Sequence, residues 1–173
     1  MIPPLTNYTF PKNQQNLFGA VRKYDIHTGI DLFADIGEPV YAMSDSLVLQ
    51  VGWFTGKDAV PESPWWNSTK YVICQTQYNN DILYFLYGEI STSLEVGQYL
   101  KAGDQIGTII EVLKNNKGLP TSMLHFEVYK SLPEYPLFWY HSQEKPVILM
   151  NPEPFISEAL GLKYDNSHGF LSL

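Results

Sequence analysis

Met123-Leu-His-Phe-Glu-Val-Tyr129 decides the fold, because it alternates strictly. Leu124, Phe126 and Val128 point one way; Met123, His125, Glu127 and Tyr129 point the other. A period of two over such a run specifies a β-strand with one apolar face. With that face packed inward, His125 looks onto a groove or solvent. Glu127 lies on the same side and is placed to orient an imidazole through a hydrogen bond. The competing reading of His125 is a lone histidine satisfied by a hydroxyl or water.

A second stretch supplies what a lone histidine lacks. His27-Thr-Gly-Ile-Asp31 carries two metal-ligand types four residues apart. On an extended strand these share a face, but their Cα atoms lie ~13 Å apart. That is too far for two bonds of ~2 Å to one ion. A metal reading therefore requires a bend, and Gly29 is the residue that permits one. The competing reading is a surface histidine and a turn aspartate. The metal reading expects His27, Asp31 and His125 to meet around one ion.

Outward from these stretches, short apolar runs alternate with turn clusters. Residues 26–33 are apolar and β-branched, followed by the turn Ala34-Asp-Ile-Gly-Glu-Pro39. Val40–Met43 and Leu47–Val51 read as strands, and Tyr71–Gln77 with Ile82–Tyr87 flank a hairpin turn at Tyr78-Asn-Asn-Asp81. Gly97, Gly103 and Gly107 punctuate the brief strands that follow, and Ile109–Leu113 extends them. Asn115-Asn-Lys-Gly118 is a further turn. Residues 52–69 fit no period and are expected to form a long loop, on which Trp65 and Trp66 either wall a groove or anchor the loop to the core. Residues 131–154 contain five prolines and read as a covering segment; a short helical turn is expected at Glu158–Leu162, and a frayed tail at Asp165–Gly169. The class is all-β, a compact core of many short strands.

Composition narrows the function. The chain has 173 residues, 45% apolar and 17% charged, which suits one domain with a full core. Its net charge of −7 and scattered Lys and Arg disfavour nucleic-acid binding. Cys74 is the single cysteine, so no intrachain disulfide forms; its apolar neighbours mark a buried thiol. No apolar run reaches the ~18 residues of a membrane span, and no signal peptide opens the chain. The expected location is the cell envelope or exterior if a leader has been removed, and otherwise the cytoplasm.

Taken in order, these pieces resemble the lysostaphin-type (LytM-like) zinc endopeptidases, which cut peptide cross-links in bacterial cell walls. Phe18-Gly, His27-Thr-Gly-Ile-Asp31-Leu and Gly37-Glu-Pro-Val-Tyr-Ala42 resemble the first signature. Tyr87-Gly-Glu-Ile-Ser91 and Val96–Gly107 resemble the middle block, Leu124–Val128 the last, and Asn151-Pro-Glu-Pro-Phe155 the closing motif. The resemblance covers residues 18–156, leaving an irregular arm at 1–17 that wraps the domain and a tail at 157–173. It implies the family's β-sheet core (a duplicated hybrid motif) with a groove over one zinc ion held by His27, Asp31 and His125. The run Val96–Gly107 is also similar to biotinyl and lipoyl carrier hairpins, but lacks their modified lysine turn.

The chain departs from that pattern twice. The family has a catalytic histidine where Met123 stands, and another where Glu89 stands. Methionine has no proton to move, whereas glutamate serves as a base beside zinc in other proteases. Glu89 is thus the candidate replacement base, and Glu127 the support of the His125 ligand. Trp65, Trp66, Tyr129 and Met123 are expected along the substrate groove. The expected function is an altered or impaired peptidoglycan cross-link hydrolase. The alternative is a catalytically inactive relative that grips cell-wall peptide or a partner protein. His141 and His168 are further histidines expected at the surface.

Overall fold

The alternating heptapeptide is strand β8 (Met123–Tyr129), and it lies between two longer-range partners rather than at a sheet edge. The structure, a computed structural model, describes residues 1–9, 14–115, 118, 120–165, 169 and 170. Among these, the other strands are β1 (Ile30–Phe33), β2 (Pro39–Tyr41), β3 (Ser46–Thr55), β4 (Thr69–Tyr78), β5 (Asp81–Ser91), β6 (Tyr99–Leu100), β7 (Gln105–Ile109), β9 (Leu149–Met150), β10 (Tyr164–Asp165) and β11 (Gly169–Phe170). One α-helix, α1 (Glu153–Ala159), follows β9.

Nine strands form one antiparallel sheet with the order β1-β8-β5-β4-β3-β6. β7 joins β5 and carries β2, and β9 extends β8. Register places Asp31 of β1 opposite His125 and Gly88 of β5 on the other side of the same residue. Directly opposed antiparallel residues have Cβ atoms ~5 Å apart, so the sheet itself delivers Asp31 to His125.

The apolar face of β8 packs inward as its alternation requires. Leu124, Phe126 and Val128 are fully buried with Ile30, Leu32, Phe85 and Tyr87. The opposite face is not open to solvent. Tyr129 sits in a second cluster with Tyr71, Ile73, Leu86 and Leu149, sealed by Phe18, Phe54, Leu137 and Trp139. Every residue of β8 is therefore buried, because the proline-rich segment folds over the face that carries its polar side chains.

Several expected boundaries shift. β3 runs on to Thr55, so the long loop starts at Gly56. The helix forms at Glu153–Ala159, earlier than expected. Pro154 in its first turn lacks only an N–H that has no helical partner, and Gly161 ends it at φ +69°. Tyr164–Asp165 pairs with Gly169–Phe170 where a frayed tail was expected. The arm wraps through backbone bonds, Ile2 N–H to the Met43 carbonyl and Tyr41 N–H to the Pro4 carbonyl. The expected turn at 115–118, Pro11 and Asn13 of the arm, and His168 fall wholly or partly outside the described residues. Among the described residues no helix is long and apolar enough to cross a membrane.

Phe126 is fully buried and meets Phe85 and Tyr87 at ring separations of 5.4 and 5.3 Å. Phe126→Ala is expected to lower the unfolding free energy by ~3–5 kcal/mol in urea titrations.

Candidate metal centre

Three ligand atoms from two distant segments converge at one point. Asp31 Oδ1 lies 2.9 Å from His125 Nδ1 and 3.1 Å from His27 Nε2, and the two nitrogens are 3.2 Å apart. Four-coordinate bonds of ~2.0–2.1 Å place neighbouring donors ~3.3 Å apart, so this triangle matches one face of a metal tetrahedron. All three residues are buried.

The neighbours settle which nitrogens are bare. His27 Nδ1 faces the Leu17 carbonyl at 2.9 Å, an acceptor only, so Nδ1 carries the proton and Nε2 offers a lone pair. His125 Nε2 faces Glu127 Oε1 at 2.7 Å, so it donates there and Nδ1 offers its lone pair to the same point. Thr28 Oγ1 also donates to Glu127 Oε1, at 2.5 Å, and the Tyr129 hydroxyl donates to Glu127 Oε2. Glu127 is thereby locked beside His125, as expected for the carboxylate that supports a metal-bound imidazole. Three acceptors this close repel unless a proton or a cation sits among them, and this donor set of two imidazoles and a carboxylate suits a divalent metal ion.

The ionisation pattern follows from the same geometry. Burial pushes Asp31 upward, but facing His27 and His125 outweighs it and holds the carboxyl well below its usual range. Burial lowers His27. Burial would lower His125 too, but its bonds to Asp31 and Glu127 dominate and raise it to about 10. In the metal-free protein, a proton on His125 thus stands in for the positive charge of the ion.

The chain bends at Gly29, just before β1, as the metal reading requires, and glycine has a further reason to stand there. It is absent from the positive-φ glycines, and a Cβ there would lie 2.5 Å from the Phe126 carbonyl and 2.8 Å from His125 Nε2. Glycine is required because β8 and the His125 ring approach that closely. On the far side, the Phe54 ring occupies the space a Gly88 Cβ would fill, and packs 5.2 Å from the imidazole of His125.

Glu89 reaches the site through a bulge. Val72 opposes Tyr87 and Lys70 opposes Ile90, so three steps along β5 match two along β4. The extra residue re-aims a side chain that simple alternation would send to the other face. Glu89 adopts φ +64°, a left-handed conformation that costs a non-glycine residue ~1–2 kcal/mol. Its side chain lines the same cleft as His27 and His125, and its buried Oε2 has no hydrogen-bond partner within the protein. Burial, with Asp31 nearby, raises its pKa to about 8.

The cleft has a volume of about 110 Å³. Its walls include Arg22, Asp25, Thr28, Trp53, Phe54, Trp66, Phe138 and Trp139, alongside His27, His125, Glu89 and Glu127. Of the aromatic residues expected along the groove, Trp66 lines it. Trp65 does not; it is 64% exposed and meets Trp66 edge-on. Tyr129 is fully buried beneath the cleft, where its hydroxyl serves Glu127. Met123 is buried at the start of β8 opposite Phe33 and does not line the cleft. His141 binds the carbonyls of Arg22 and Asp25 rather than approaching the ligands. Sequence reasoning missed Arg22, Thr28 and Phe54. Thr28 was visible as a polar residue inside the first motif, whereas nothing local distinguishes Arg22 or Phe54.

Comparison with known proteins agrees with this architecture. Residues 25–138 match the model of peptidase family M23, and the chain belongs to that family. No curated protein matches the chain by sequence. The fold is similar to the catalytic domain of the antimicrobial peptidase lysostaphin from Staphylococcus simulans, with TM-score 0.56 and 21% identity over 87% of this chain and 92% of that one. It is similar to the catalytic domain of EnpA, a prophage-encoded M23 protein of Enterococcus faecalis solved as a point mutant, with TM-score 0.55 and 19% identity over 87% and 94%. Against full-length lysostaphin the TM-score is 0.57 at 21% identity, covering 94% of this chain but 55% of that one. The chain thus spans about half of the full lysostaphin protein.

Two outcomes are expected. Glu127→Ala frees the His125 ring and lowers metal affinity ~10–100-fold in competition with a chromophoric chelator, because the tautomer is no longer fixed. Metal-free protein loses stability as pH rises. The raised His125 pKa, about 10, contributes stability fully below its unfolded value of ~6.5, and loses it on the way to 10. Glu89 acts with the same sign between its unfolded value of ~4.3 and about 8. Asp31, held low, matters only in acid, where its contribution is lost as pH falls through its folded pKa. Thermal melts in excess chelator at about pH 6 and about pH 9 check this, with the lower midpoint expected at the higher pH.

Proposed function

We propose that the protein is a zinc endopeptidase that cleaves short Gly- or Ala-containing peptides of the kind that cross-link peptidoglycan. One observation carries the reading: His27 Nε2, Asp31 Oδ1 and His125 Nδ1 lie 2.9–3.2 Å apart with their lone pairs on a common point. Membership of peptidase family M23 and the likeness to the antimicrobial peptidase lysostaphin support the substrate class.

His27, Asp31 and His125 would hold the ion, and zinc bound there supplies a Lewis acid that polarises a peptide carbonyl and lowers the pKa of a water. The chain's own residues do the rest. Glu89 shares the cleft with His27 and His125, keeps one oxygen without a protein partner, and would accept the proton of the attacking water. The same group is then placed to return that proton to the leaving amine. Phe54, Trp66 and Trp139 wall the cleft and keep bulk water from the reacting atoms.

Met123 supports a second reading, binding with little or no turnover. It carries no proton to move, and it lies outside the cleft, so the role the family gives a histidine there has no successor at that position.

The test is zinc analysis of the purified protein together with hydrolysis of oligoglycine and alanyl-glycine peptides. Wild type is expected to hold one zinc and to cleave. Glu89→Gln is expected to keep the zinc while kcat falls ~10²–10⁴-fold. A zinc-loaded wild type that cleaves none of these peptides, but gains activity when Met123 and Glu89 are both changed to His, establishes the second reading.

A further inference from the structure

The second oxygen of Asp31 is also occupied. Arg22 Nη2 lies 2.5 Å from Asp31 Oδ2, whereas Oδ1 alone faces the two histidines. Arg22 is itself held in place. Its Nε donates to the Gln15 carbonyl at 2.9 Å, and its own carbonyl accepts from His141 Nε2 at 2.8 Å. The side chain is about one-third exposed, at 32%, and lines the cleft. It therefore reaches the metal centre from outside the residues that match the family model, as does the Leu17 carbonyl that fixes the tautomer of His27.

We propose that Arg22 is a positioning residue that sets how Asp31 binds the metal. A carboxylate beside a divalent ion offers one oxygen or two. A charge-assisted bond from a guanidinium to Oδ2 competes directly with the metal for that oxygen. With Oδ2 held by Arg22, Asp31 contributes Oδ1 only, and the coordination position that Oδ2 would fill stays free for water or a substrate carbonyl. Arginine suits the task because it stays charged throughout the working pH range and its planar fork bonds Asp31 and Gln15 at once. The segment 14–22 is on this view a structural part of the metal centre, not a mere arm.

This inference rests on the metal reading, and the experiment separates the two. Cobalt(II) replaces zinc in the full chain, and its visible absorption reports coordination number, being intense for four-coordinate and weak for five- or six-coordinate ions. Wild type is expected to show intense bands. Arg22→Ala and Arg22→Gln are expected to bind cobalt with bands several-fold weaker, as Oδ2 joins the ion. Arg22→Lys, which keeps a charged donor, is expected to recover part of the intensity. Unchanged intensity in Arg22→Ala or Arg22→Gln, with wild type four-coordinate, overturns the role of Arg22 and leaves the metal reading intact. A wild type that binds no cobalt overturns both. X-ray absorption of the zinc-loaded wild type needs no variant to fold: four nearest donors are expected, and a fifth overturns the proposal.

Discussion

Three lone pairs aimed at one point are the constraint on which the rest of this structure depends. Asp31 Oδ1, His27 Nε2 and His125 Nδ1 lie 2.9–3.2 Å apart, so a proton or a cation has to sit among them. The surrounding residues maintain that arrangement instead of relieving it. The Leu17 carbonyl prevents His27 from turning its protonated nitrogen inward, and Glu127 does the same for His125. Thr28 and Tyr129 fix Glu127 in turn, so the restraint extends two hydrogen bonds from the centre. Both rings are thus held with the same nitrogens toward Asp31 Oδ1, an arrangement that could hold a cation.

The sheet does the long-range positioning. Antiparallel pairing of β1 with β8 sets Asp31 against His125, although 94 residues separate them in the chain. Close packing then demands glycine twice. At Gly29 a side chain would strike the Phe126 carbonyl and the His125 ring, and at Gly88 it would strike Phe54. Both glycines serve close approach, not unusual backbone torsion.

Glu89 shows the opposite economy. Its backbone is left-handed and one of its carboxyl oxygens, Oε2, is buried without a partner within the protein, two local penalties in one residue. Such costs persist where surrounding structure over-determines them, and they concentrate at functional sites. Here the bulge in β5 is what turns the side chain toward the metal centre. A carboxylate is thereby present in the cleft while Met123 lies outside it, so the two departures from the family pattern have different consequences.

The sequence by itself determined the class of the fold and pointed to the three residues that the structure gathers as candidate ligands. Strict alternation in Met123–Tyr129 and the hairpin at Tyr78–Asp81 depend on local periodicity and turn chemistry, which act within a few residues. His27, Asp31 and His125 were legible as candidate ligands because metal ligands come from few residue types and these stood in a familiar order. Only the tertiary structure decided the rest. It buried both faces of β8, removed Trp65, Met123 and Tyr129 from the groove wall, and brought Arg22 to Asp31. Those outcomes follow from how a proline-rich cover and an irregular arm fold over the sheet. Such segments carry no period, so nothing in their spacing announces which side chain will touch which.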